Sequence, residues 1–232
     1  MERTRLPMLA VAVAVAALLA ACGGASPGDT RLATGAAAED EQVAGRLLLT
    51  ARDLAGYEAA PVPEPDADAV DQHAASSFEA CAGAAAALSD DRMAQSPVFF
   101  KGRTVMVSSL AVVAPTEAAA EQAMGDLGRA DLAGCLTSLF RSVLGLDLLP
   151  GTTATTDLLP PTPVKSADRA TTWRTTLNVA IGGQTVPAYS DLTFLRSGRA
   201  VGVLFAFEVG RPFDTAERNR LAETVAARLH RV

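Results

Sequence analysis

The three cysteines are the residues whose surroundings say most about their chemistry. Cys22 ends the run Leu19-Ala20-Ala21-Cys22 and is followed by Gly23 and Gly24. A large aliphatic residue, two small residues that fit a protease pocket and then a cysteine is the order of a bacterial lipobox, in which the thiol takes diacylglycerol. Cys22 is therefore read as a lipidation site, chemistry done to the protein rather than by it. An ordinary secretory signal or an uncleaved helix are the alternatives. One acyl chain anchors marginally and two hold stably. Cys81 and Cys135 then remain in an exported, oxidising setting where disulfides persist, and one bridge between them is expected. Closing that loop restricts the unfolded chain by about 4 kcal/mol in the chain-entropy description. A catalytic thiol or a metal site would need a neighbouring base or further ligands.

The other candidate groups are plainer. Nucleophilic catalysis of the Ser-His-Asp type needs an imidazole, and only His73 and His230 supply one. His73 sits beside a Pro- and Asp-rich stretch, and His230 falls in the last turn of an expected helix, where a cation meets the dipole favourably. Neither is read as catalytic. Asp66, Asp68 and Asp71 are spaced somewhat like a calcium loop, but the required glycine and the terminal bidentate glutamate are missing. They are read as a solvated loop and helix start. Asp191 and Glu208 fall on expected strands and could line a cleft as a carboxylate pair, against the simpler reading as solvent-facing charges on a wet sheet face. Trp173 is read as a sheet-packing residue rather than a ligand platform. No lipase elbow, phosphate loop or His-Glu-x-x-His helix is present. No catalytic residue, cofactor or metal ligand is assigned.

These residues must be carried by elements that the patterning outlines. Arg3 and Arg5 precede an apolar run from Leu6 to Ala20, the length of a signal-peptide h-region and too short to span a bilayer. Residues 1–21 are expected to be a lipoprotein signal peptide. Residues 22–42, mostly Gly, Ala, Ser, Thr and Asp, are expected to be a flexible tether, and 43–232 a single domain. That domain opens with a short buried element at Leu47 to Leu54, followed by a loop at Pro61, Pro63 and Pro65. A helix from Asp71 to about Leu88 carries Cys81. The apolar run from Thr104 to Val113 suits a central strand buried on both faces. Thr116 caps a helix reaching about Leu127, and Leu132, Cys135, Leu136, Leu139, Phe140 and Val143 mark another.

A strand at 152–159 and a stiff turn at Pro160-Pro161-Thr162-Pro163 lead into the clearest periodicity in the chain. Trp173, Thr175, Leu177, Val179 and Ile181 alternate with polar or small residues, Gly182-Gly183 makes a hairpin turn, and Pro187 hints at an edge or bulge in the next strand. Ser197-Gly198 turns into a third strand through Val201, Val203, Phe205, Phe207 and Val209. Asp214 and Glu217 form a capping box before a helix marked by Leu221, Val225 and Leu229. The predicted class is α+β: one antiparallel sheet ending in a C-terminal meander, packed by helices on one face, with a helix-to-helix disulfide.

With 49% hydrophobic and 20% charged residues, the chain can bury a core. Its formal charge of −6 argues against nucleic acid, which needs a basic face. Loss of Glu2, Arg3 and Arg5 with the leader would make the mature chain −7 and weakly repelled by anionic headgroups.

The Leu-Leu-Thr-x-x-Asp-Leu opening at Leu48 to Leu54, the cysteine-bearing helix at Phe78-Glu79-Ala80-Cys81, the second helical cysteine at Cys135 and the Gly-Gly-Gln-Thr-Val-Pro hairpin at Gly182 to Pro187 go together. On these the chain resembles actinobacterial lipoproteins with a domain similar to the PknH-type kinase extracellular sensor domain, from about Leu47 to Val232. The resemblance implies a cleft beside a sheet, helices tied by disulfide, and a domain that senses an external ligand or serves the envelope. The chain has no kinase domain, and one disulfide where the kinase ectodomains carry two. The expected protein is non-enzymatic and held by lipid on Cys22 at the extracytoplasmic face of the cell membrane. It would bind a small or lipid-like envelope ligand or, alternatively, act as a protein-interaction accessory of an envelope complex. An envelope hydrolase is the weaker reading.

Overall fold

The computed structural model describes residues 35–60, 93–143, 151–181 and 183–231. The signal peptide, Cys22, the first part of the expected tether, the Pro- and Asp-rich loop, His73 and the expected helix bearing Cys81 lie outside the described residues. The described elements are, in order, α1 (Gly35–Leu47), a 3-10 turn (Ala51–Asp53), β1 (Glu58–Ala60), β2 (Met93–Gln95), β3 (Val98–Lys101), β4 (Val105–Val113), α2 (Glu117–Asp126), α3 (Leu132–Val143), β5 (Thr153–Leu158), β6 (Arg169–Ile181), β7 (Gln184–Ser197), β8 (Ala200–Val209) and α4 (Thr215–Leu229).

The strands form one antiparallel sheet in the order β1-β3-β4-β8-β7-β6-β5, with β2 pairing the far end of β4. The continuous apolar run of β4 is buried on both faces, as expected of a strand flanked by β3 and β8. The meander β6-β7-β8 follows the periodicity, with Ile181 opposite Gln184 across the Gly182-Gly183 turn. Gly183 takes φ +79°, which glycine adopts without strain. Pro187 lies where β7 has β6 on one side but has not yet met β8, whose pairing starts at Ala188, so its missing N–H costs no ladder bond. Ser96-Pro97 separates β2 from β3, and Ser96 keeps the sheet closed through its N–H to the Ser109 carbonyl at 2.9 Å.

The expectation of helices on one face is corrected: both faces are covered. Alternation along the strands sends Met106, Trp173, Leu177, Leu192, Phe194 and Phe205 into one core with Met124 of α2 and Leu136 and Phe140 of α3. The opposite set, including Val107, Ala111, Leu195, Leu204 and Ala206, packs on Ala44 and Leu47 of α1 and on Leu221, Val225 and Leu229 of α4. The boundary at residue 42 also moves, because α1 begins at Gly35, inside the segment read as tether. Burial of Ala44 and Leu47 and the pairing of Asp40 with Arg199 at 3.0 Å tie it to the domain. Few large apolar residues suffice for a helix when the two that are present land on a sheet. Among the described residues, no helix is long and apolar enough to cross a membrane.

Helix starts follow their caps: Thr116 accepts from the Ala119 N–H, and Asp214 from the Glu217 N–H. The approach of α4 to the sheet depends on Gly202, where a Cβ would sit 3.0 Å from Val225 Cγ1 and 3.2 Å from Leu229 Cδ1. The same end of α4 is clamped to the domain opening. Arg228 grips both oxygens of Asp53 at 2.7 and 2.9 Å and also donates to the Leu48 carbonyl. Burial alone would push the Asp53 carboxyl up, but bonds from the Thr50 N–H, Arg228 and the Thr50 hydroxyl outweigh it and hold the group below its usual range.

Gly202→Val should lower stability by about 1–3 kcal/mol through overpacking beneath α4, read from urea unfolding. Asp53→Asn should cost about 1–3 kcal/mol at pH 7. Because the folded carboxyl has the lower pKa, its contribution is complete above the ordinary value of 3.8 and disappears as pH falls through the folded value. Unfolding curves of the wild type and Asp53→Asn should therefore converge in acid, and a constant gap down to the lowest pH would refute the clamp.

Candidate functional site

The site grows from one cross-strand pair. Register sets Arg174 of β6 opposite Asp191 of β7 on the face covered by α4. Arg174 meets the carboxylate with two parallel bonds, Nε to Oδ1 at 2.6 Å and Nη2 to Oδ2 at 2.7 Å. From above, Arg218 in the second turn of α4 adds Nη1 to Oδ2 at 2.9 Å. The Asp191 side chain is fully buried, with Arg218 at 6% and Arg174 at 18% exposure. A lone carboxylate buried there would be strongly disfavoured, and the bonds from two guanidiniums offset that cost. The bonds to Asp191, stronger than the opposing effect of burial, hold the Arg174 guanidinium above its ordinary pKa.

One carboxylate between two guanidiniums leaves a net positive charge, and it sits at the edge of a cleft of about 260 Å³. The cleft lies where α4, the first residues of β6, Thr193 of β7 and the segment 158–164 meet. Its apolar part includes Leu159, Val164, Ala170 and Ala222, and its polar part includes Arg218, Arg169, Thr162, Thr172 and Thr193. The Thr172 and Thr193 hydroxyls bond each other at 3.1 Å. No carboxylate of a described residue lines it. Its volume falls just below the usual range of about 300–1,000 Å³ for small-molecule sites, so it suits a small ligand or one end of a longer one.

Asp191 and Glu208 are corrected from the solvent-facing reading: both are buried, at 1% and 5% exposure. Glu208 is held by Arg211 at 2.5 Å. The sheet face expected to be wet is the one that α4 covers, and neither acid lines the cleft. Trp173 is a core residue, as its alternation implies, and its indole N–H donates to the Leu127 carbonyl at 2.8 Å. His230 is the C-terminal cap of α4, with Nδ1 3.3 Å from Ser197 Oγ. Cys135 is half-buried in α3 against the core, and Cys81, its expected partner, lies outside the described residues. Among the described residues, no group of three or more His, Cys, Asp or Glu is placed to hold a metal.

Arg169, Arg174 and Arg218 were not singled out by the sequence reading. Arg218 had a signal: it lies three and four residues before Leu221 and Ala222 and seven before Val225, on the stripe that α4 buries. A charged residue on a buried stripe needs a partner, and the partner is Asp191.

Asp191→Ala should destabilise the domain by about 3–5 kcal/mol, because it leaves two guanidiniums facing each other without a counter-charge. Replacing Arg174, Asp191 and Arg218 together by apolar residues of similar size should restore most of that loss in urea unfolding; a triple variant as unstable as Asp191→Ala would show that packing rather than charge is at stake. The chain matches no family model, no curated protein and no solved structure.

Proposed function

We propose that this protein is a non-enzymatic extracytoplasmic lipoprotein, anchored to the cell membrane by lipid on Cys22, whose single α+β domain binds a small envelope ligand in the cleft beneath α4. The observation that carries the binding reading is the cleft itself: a concave, partly apolar site with a buried guanidinium at its edge. The lipobox at Leu19 to Cys22 carries the anchoring. Cys135 is paired with Cys81 in this reading, since Cys22 is taken by lipid, and the bridge staples α3 to the segment before β2.

The described carboxylates favour binding over hydrolysis. Asp191 and Glu208 each spend acceptor capacity on an arginine, and neither faces the cleft. An acid/base pair needs both groups at the substrate. The alternative of a protein-binding accessory has one feature in its favour, Leu158 on edge strand β5, the exposed large hydrophobic residue among the described ones. A single such residue is ordinary on a surface, so the cleft is the stronger argument.

Expressed in a bacterial host that processes lipoproteins, the wild type should fractionate with membranes, with an intact mass of diacylated protein starting at Cys22. The Cys22→Ser variant should be recovered unlipidated in the soluble fraction. Non-reducing peptide mapping should yield a Cys81 to Cys135 cross-link. Native mass spectrometry after incubation with an envelope extract should show an adduct that Thr162→Trp, which fills the cleft, removes. An adduct equally abundant in Thr162→Trp would place binding elsewhere, and a wild type starting at another residue without lipid would sink the anchoring.

A further inference from the structure

The chemistry of the cleft goes beyond its shape. Arg218 is one-twentieth exposed, and its hydrogen bond among the described residues uses one N–H of Nη1, toward Asp191. A guanidinium has five donors. None of the others is among the buried polar atoms that lack a partner, and Arg218 is one of the residues that line the cleft. Asp191 cannot neutralise the pair it serves, because one carboxylate carries a single negative charge against two guanidiniums. Arg169 stands on the same wall, exposed and with no acidic partner among the described residues. Thr193, 3% exposed, and Thr172 add hydroxyls, and Val164, Ala170 and Ala222 supply apolar surface beside them. In a chain of net charge −6 this is a locally positive, carboxylate-free wall. A planar fork held rigid by a carboxylate behind it is suited to grip another carboxylate or a phosphate.

We propose that the cleft beneath α4 is an anion site, taking the carboxylate or phosphate end of a small amphiphilic molecule on Arg218 and Arg169 with its apolar part against Val164, Ala170 and Ala222. This rests on the reading that the cleft is a ligand site, and it adds the ligand's class. Arg218 is oriented by Asp191, which does not touch the ligand. The modest volume admits the head and the first part of a chain, so the same chemistry serves a short free acid, a phosphate ester or the end of a longer lipid.

The test is titration calorimetry of the full-length Cys22→Ser chain with octanoate, octyl phosphate, octanol, octylammonium and inorganic phosphate. Both amphiphilic anions should bind at least tenfold tighter than octanol and octylammonium. Inorganic phosphate binding as tightly as octyl phosphate would identify a free anion as sufficient, and a weaker phosphate would show that the chain contributes; either supports the anion site. Arg218→Lys, which keeps the charge and loses the fork, should weaken octanoate tenfold or more. Because Arg218 also supports Asp191, Arg169→Gln at an exposed position is the second variant, expected to weaken the anions severalfold and leave octanol unchanged. Octanol equal to octanoate, or Arg169→Gln and Arg218→Lys both without effect in folded protein, overturns the anion assignment and leaves a ligand cleft standing. No binding of any probe, together with no Thr162→Trp-sensitive adduct from the envelope extract, overturns the cleft reading as well.

Discussion

A carboxylate enclosed between a sheet and a helix has to be neutralised where it sits, and the way Asp191 is neutralised organises the surrounding structure. Arg174 comes from the neighbouring strand and Arg218 from α4, so the three charges join β6, β7 and α4 at one point. An apolar contact there would tolerate sliding of the helix along the sheet. Paired forks with bonds of 2.6–2.9 Å do not, because a displaced helix would strand a buried charge. The same interaction leaves a surplus positive charge facing the cleft. In the proposed reading, structural and functional roles rest on the same atoms, with Asp191 as the rigid support and Arg218 as the presented surface.

The two faces of the sheet are built with different chemistry. On the α2 and α3 face, Thr137, Thr156 and Thr175 pass a hydrogen-bonded row of hydroxyls from helix to strand at 2.8 and 2.9 Å, and Trp173 anchors to the Leu127 carbonyl. Threonine suits that row because its methyl packs while its hydroxyl bonds. The α1 and α4 face uses charge at its periphery and small residues beneath the helix. Gly202 lets α4 lie close, and Asp53 with Arg228 secures the helix end distant from Asp191. A helix held by ion pairs toward both ends and seated on glycine is well fixed relative to the sheet, which suits a site made partly from its first turns.

Anchoring and binding are complementary in this reading. A lipid on Cys22 would hold the domain near the membrane without surface charge, which a chain of net charge −6 could not supply toward anionic headgroups. In the cleft, the low exposure of Arg218 lets its guanidinium act more strongly than it would in open solvent.

Local pattern determined a great deal of this protein. The alternation from Trp173 to Ile181, the turn at Gly182-Gly183, the caps at Thr116 and Asp214 and the apolar run of β4 are short-range signals, and short-range forces decide them. What pattern could not decide was which surface faced what. Asp191 and Glu208 read as solvent-facing because strand alternation distinguishes two faces without saying whether a helix lies over the second one. That helix, α4, comes from the C-terminal end of the chain, and its Arg218 reaches Asp191 across 27 residues. The helical state of residues 35–42 was hidden for the same reason: their composition is weakly apolar, and contact of the helix with β2, β4 and α4 gives Ala44 and Leu47 a surface to bury against. The cleft exists only where four distant segments meet, so its positive, acid-free wall was decided by tertiary structure, because charge complementarity is a property of positions in space and not of spacing along a chain.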